Sequence, residues 1–124
     1  MVSFEEFQDM IEEIVQTFPE EFFRELNGGV FARKHPKYHP EGVGHELFIM
    51  GEYCRQHHLG RFIVIYYGSF AQVYGHLPKE DLAKRLRKVL LHEFRHHLES
   101  LAGERDLEIE DAIEIAEYRE RRGI

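Results

Sequence analysis

His92 and His96 stand four residues apart, with Glu93 directly after the first, in the run His92-Glu93-Phe94-Arg95-His96. On an α-helix, positions four apart are separated by about 40° around the axis and one turn along it. Two imidazoles at that spacing therefore reach one metal ion from the same side. The pair makes half a zinc site. A glutamate beside the first ligand projects to the flank of that site, where it can hold a water and take its proton. The chemistry predicted is zinc-assisted hydrolysis, with His92 and His96 as metal ligands and Glu93 as general base.

A catalytic zinc generally takes three protein ligands and leaves one position for water. The third is expected from Asp106, three residues beyond Gly103, where the chain can leave the helix and fold back. Asp106 competes for that role with the ordinary work of an aspartate, capping the next helix, and Glu110, Asp111 and Glu114 stand in reserve. His97 falls at the border of the helix's apolar stripe and is expected to be a hydrogen-bonded structural histidine. Glu99 shares the face of the histidine pair, one turn on, and is expected on the helix surface or supporting a ligand. Tyr66, Tyr67, Tyr74 and His76 are candidates to stabilise an oxyanion, although packing or surface roles are expected of each.

These side chains need a helix to carry them, and the pattern supplies one. After Leu77-Pro78 a 3.6-residue period runs to about Ala102, with Leu82, Leu86, Leu90, Phe94, Leu98 and Leu101 forming one apolar stripe and Gly103 as the expected stop. The histidine pair lies away from the middle of that stripe, so the helix can bury one side and turn the pair into a cleft. A shorter helix is expected from about Leu107 to Arg121, with Ile109, Ala112, Ile113 and Ala116 inward. At the other end, Phe4, Phe7, Ile11, Ile14, Val15 and Phe18 recur at helical spacing behind a Ser3/Glu6 capping box. A second helix is expected from Thr17 to Leu26, stopped by Asn27-Gly28-Gly29.

Between the helices, Val30 to Arg33, Glu46 to Tyr53 and Phe62 to Tyr67 are rich in β-branched and aromatic residues and read as three strands. The stretch from Lys34 to His45, with His35, His39 and His45 among prolines and glycines, reads as an irregular polar loop. The outline is an α+β domain spanning residues 1–124 as one unit. A peptide could align against an exposed edge within Phe62 to Tyr67.

The chain has 124 residues, 43% hydrophobic and 13% aromatic, enough for a packed core. Its formal net charge of −7 argues against a nucleic-acid partner. The basic cluster Lys84, Arg85, Arg87 and Lys88 is expected to be the solvated side of a helix. A single cysteine, Cys54, excludes an intrachain disulfide and a cysteine-rich metal site. The first residues carry neither the basic start nor the apolar run of a secretory signal, and no stretch nears the roughly 20 apolar residues of a membrane span. A cytoplasmic setting without membrane attachment is expected.

The motif His92-Glu93-Phe94-Arg95-His96-His97 and the downstream Gly103-Glu104-Arg105-Asp106 resemble the zincin-like metallopeptidases, in particular the small bacterial minimal zincins. The layout is similar too: an N-terminal helix, a short sheet holding Glu46 to Gly51 and Phe62 to Ile65, and a late active-site helix. The resemblance implies N-terminal helices, a small three- to four-stranded sheet, a long active-site helix and a short C-terminal helix. It also implies a zinc metalloendopeptidase acting on a peptide or protein substrate, with His92 and His96 as ligands and Glu93 as base. One departure stands out. The group places its glycine three residues after the second histidine, whereas Gly103 is seven after His96, as if a turn adding about 6 Å had been inserted. The alternative to an enzyme is a non-catalytic metal-binding or interaction module with a closed, four-ligand structural zinc, to which His35, His39 or His45 would contribute. A histidine-cluster ribonuclease would favour a third histidine after the helix and a basic channel, which this acidic chain does not offer.

Overall fold

A computed structural model describes residues 1–44, 47–102 and 106–123, the side chains of 106–112 excepted. The first helix, α1 (Phe4–Val15), is capped as its sequence predicts, the Ser3 hydroxyl accepting from the Glu6 amide at 3.1 Å. It buries Phe7, Met10 and Ile11. The second expected helix is reduced to one 3-10 turn, Glu20–Phe23. So short a segment, closed in by Pro19 and by Glu25 at φ 59°, cannot meet the cost of nucleating an α-helix and serves instead to seat Phe22 in the core.

Three strands form the main sheet in the order β1 (Gly29–Arg33), β5 (Gly60–Tyr66), β4 (Gly51–Gln56); β1 runs parallel to β5, and β4 antiparallel to it. A second, two-stranded ladder joins β2 (Lys37–Tyr38) to β3 (Phe48–Ile49). The supposed irregular loop from Lys34 to His45 thus contributes a strand, and the strand expected over Glu46 to Tyr53 is two strands; His45 and Glu46 lie outside the described residues. Two-residue strands carry too little alternation to be seen in a sequence.

Phe62 to Tyr66 are all at most 5% exposed. Ile63 and Ile65 enter the main core, while Phe62, Val64 and Tyr66 pack with Phe31, Ile49 and Cys54 on the opposite face. This continuous apolar run belongs to a central strand covered on both faces. It corrects the expected docking edge: β5 is paired on both sides, and β4, bonded to β5 alone among the described residues, has an open side. The Tyr66 amide donates to the Met50 carbonyl at 2.9 Å. The alternation of an antiparallel ladder then turns the backbone of Glu52 and Cys54 toward β5 and that of Gly51, Tyr53 and Arg55 away.

A helix the sequence did not suggest, α2 (Tyr67–Tyr74), follows β5 directly. Its aromatic and β-branched residues favour a strand locally, and tertiary packing overrides them. Phe7 and Tyr67 meet edge to face at 5.3 Å, and the Ser69 hydroxyl accepts from the Lys37 amide at 3.0 Å. Gly68 lies so close to the preceding chain that a Cβ there would overlap the backbone nitrogen of Pro36.

The long helix α3 (Lys79–Leu101) agrees with its periodicity, burying Leu82, Leu86, Leu90, Phe94 and Leu98, and with them Glu93 and His97. It packs on α1, on the main sheet and on α4 (Asp106–Arg122). The expected stop at Gly103 lies outside the described residues. No helix among those described is long and apolar enough to cross a membrane.

Candidate metal centre

Because the apolar stripe of α3 faces the core, His92 and His96 emerge on its exposed side. Their rings stand at 86° with centroids 4.5 Å apart, and the two Nε2 atoms are 3.0 Å from each other. Zinc is held by imidazole at about 2.0–2.1 Å. Two nitrogens at this separation, each turned toward the other, can share such an ion at an angle of roughly 95°, which a small opening of the rings brings to tetrahedral. The donor set fits a divalent metal on geometry and on ligand chemistry.

Glu93, beside the pair on the flank of α3 that meets the sheet, is only 6% exposed and lies in the field of His96. The outward Tyr53 amide of β4 donates to its carboxylate. Burial pushes the Glu93 carboxyl above its ordinary range. His96 opposes that shift, the Glu52 charge adds to it, and the Tyr53 amide opposes it. Glu52 is itself engaged: Lys37 Nζ and the Tyr66 hydroxyl both bond its Oε1, at 2.5 and 2.6 Å. Burial alone would raise Glu52; the bonds from Lys37 and Tyr66 outweigh it and leave its carboxyl below the usual range.

His97 is completely buried. Its Nε2 lies 2.8 Å from the Arg24 carbonyl, which only accepts, so the proton sits on Nε2 and Nδ1 accepts from the Tyr53 hydroxyl at 2.8 Å. The Tyr53 oxygen accepts from Arg61 Nη1 at 3.0 Å, and the same nitrogen donates to Ser100 at 2.6 Å. Tyr53 therefore ties α3 to β4 twice, by its ring through His97 and by its amide through Glu93.

The structure brings His92, Glu93 and His96 to one stretch of helix as their spacing requires. Asp106 is the first residue of α4, but its side chain, with those of Glu110 and Asp111, lies outside the described residues. Among the described residues no three His, Cys, Asp or Glu side chains converge on one point. Glu114 and Glu99 are exposed. His35 packs near the Tyr66 ring at 5.8 Å, and His39 Nδ1 accepts from the Glu41 amide at 3.1 Å. Of the oxyanion candidates, the Tyr66 and Tyr67 hydroxyls donate to Glu52 and to the Val2 carbonyl, Tyr74 packs on Phe70 and beneath Arg85, and His76 is exposed. Sequence reasoning missed Tyr53 and Glu52. The available signal was a carboxylate and a tyrosine side by side in one strand-forming run.

Residues 37–115 match the family described as zincin-like metallopeptidase, a span that includes the whole motif and Asp106. The fold is similar to the solved structure of a conserved hypothetical protein from Thermo thermophilus, with a TM-score of 0.70 and 36% sequence identity over 82% of this chain and 98% of that one. No curated protein matches.

Proposed function

The chain belongs to the zincin-like metallopeptidase family, and from that premise we propose that it is a zinc-dependent peptidase whose metal is held by His92, His96 and Asp106. The observation that carries the reading is the pair of Nε2 atoms 3.0 Å apart on the open face of α3, with a buried carboxylate one residue away. Glu110, Asp111 and Glu114 remain the alternatives for the third ligand. Zinc in that position supplies a Lewis acid that polarises a carbonyl and acidifies water.

The chain's own contribution is proton handling and alignment. Glu93, raised above the ordinary carboxylate range by burial, is a better proton acceptor than an exposed glutamate. It takes the proton of the attacking water and delivers it to the departing amine. The Tyr53 amide donates to that carboxylate from β4. The open side of β4 offers outward backbone groups at Gly51 and Arg55 to an extended peptide, in place of the paired β5.

The test is Glu93→Gln, assayed with added zinc against a denatured protein substrate. The variant is expected to keep the zinc content of the wild type and to lose turnover by about 10²- to 10⁴-fold. Undiminished proteolysis by Glu93→Gln overturns the role given to Glu93.

A further inference from the structure

Lys84, Arg85 and Lys88 of α3 are exposed, as the sequence suggests, and Lys84, Arg87 and Lys88 also line the side of a groove that begins at His92. This groove, about 910 Å³, lies between α3 and α4 and reaches Ile14 of α1 and Phe22 of the 3-10 turn, a volume within the usual range for ligand sites. Its floor is apolar, from Ile14, Phe22, Leu91 and Ile113. Along α3, Lys84, Lys88, His92 and His96 follow one another at intervals of four, so the two ammonium groups continue the line of the two imidazoles. Lys88 is one turn and Lys84 two turns from His92, about 6 and 12 Å along the axis. Arg121 faces them from α4.

Among the described residues that line the groove, cations outnumber carboxylates, in contrast to the net charge of −7 of the chain. Of the two carboxylates among the described residues that line it, Glu117 pairs with Arg95, and Glu120 lies in the field of Arg87. Lys84, Lys88 and Arg121 take part in none of the ion pairs among the described residues. Lys88 has no carboxylate three or four positions away on its own helix, where Lys84, Arg85, Leu91 and His92 stand instead. Lys84 has Glu80 and Asp81, and Arg121 has Glu117, within one turn on their own helices, so Lys88 is the cation of the three with no such neighbour.

We propose that this groove is a substrate subsite for acidic peptide segments, with an apolar side chain on its floor and carboxylates bonded to Lys84, Lys88 and Arg121. Extended chain advances about 3.3 Å per residue, so the favoured acids fall roughly two to four residues from the bond lying over His92. The placement relative to a scissile bond rests on the peptidase reading; the binding itself does not.

The experiment uses the full chain carrying Glu93→Gln, with and without added zinc, and two fluorescein-labelled peptides identical but for a Leu-Glu-Glu-Glu segment replaced by Leu-Gln-Gln-Gln. Fluorescence anisotropy should show the acidic peptide bound at least about tenfold more tightly, with the preference shrinking as sodium chloride is raised. Lys84→Gln with Lys88→Gln should remove most of that preference, and Arg121→Glu should weaken it separately. All three residues are exposed, and circular dichroism checks that the fold is kept. Equal binding of the two peptides, or a preference untouched by the lysine substitutions, overturns the proposal. So does tighter binding of a single-stranded oligonucleotide, or self-association through this face that excludes the peptide. Acidic-peptide binding in a protein that takes up no zinc would leave the subsite standing and remove the peptidase reading.

Discussion

Two neighbouring residues of α3 show how a one-position change along a helix changes the work of a side chain. His96 is exposed and directed at His92, whereas His97 is sealed in the core between Arg24 and Tyr53. Burial holds His97 below the ordinary imidazole range; the bond to the Arg24 carbonyl works against it, and the Arg61 charge works with it. The folded chain thus keeps His97 neutral while the unfolded chain takes up a proton. Its stabilising contribution is whole above the free imidazole value of about 6.5 and is lost as pH falls from there toward the depressed folded value. Urea midpoints should fall between about pH 7.5 and 5, and His97→Gln should flatten that slope; an equally steep slope would contradict the assignment. Tyr53→Phe removes the partner of both His97 and Arg61. It should cost about 1–3 kcal/mol in urea unfolding, because Nδ1 of His97 is left buried and unsatisfied. The exposed pair at positions 92 and 96 was legible from spacing alone. The Tyr53 link was not, because it joins residues 44 positions apart and no local pattern records it.

Elements were legible in proportion to their length. Helix α3 announces itself over 23 residues, with leucines and a phenylalanine every four positions, and the motif's orientation follows from the same period. β5 was visible as an apolar run, but not its central place in the sheet, since pairing on two sides is a property of its neighbours. α2 was hidden because Tyr67, Phe70 and Val73 suit a strand as readily as a helix; what decides for the helix is the aromatic packing with Phe4 and Phe7 and the close approach of Gly68 to Pro36. Gly68→Ala tests that approach. Backbone atoms, not a movable side chain, meet the new methyl, so a loss of about 1–3 kcal/mol is expected from thermal or urea unfolding. A neutral effect would mean that α2 and the chain before β2 are not locked together.

Across the whole molecule, the core is assembled from α1, the 3-10 turn, β5, α2, α3 and Ala116 of α4 without help from the histidine pair. A metal at an exposed pair should therefore add to stability by mass action rather than create the fold. Chelation is expected to leave the far-ultraviolet circular dichroism unchanged while lowering the melting temperature by a few degrees relative to the zinc-loaded protein. Loss of helical signal on chelation would show the metal to be structural. The identity of the third ligand was not legible, because the interval from His96 to Gly103 departs from the pattern that the motif otherwise follows, and Asp106, the expected ligand, is also a residue type that caps helices.

One divalent ion shared by His92 and His96 is what a peptidase site on α3 requires first. Competitive zinc titration of the wild type, His92→Ala and His96→Ala measures this. The expected result is one zinc bound per chain, with affinity falling at least about 100-fold on loss of either imidazole. Equal zinc binding by all three proteins would contradict it.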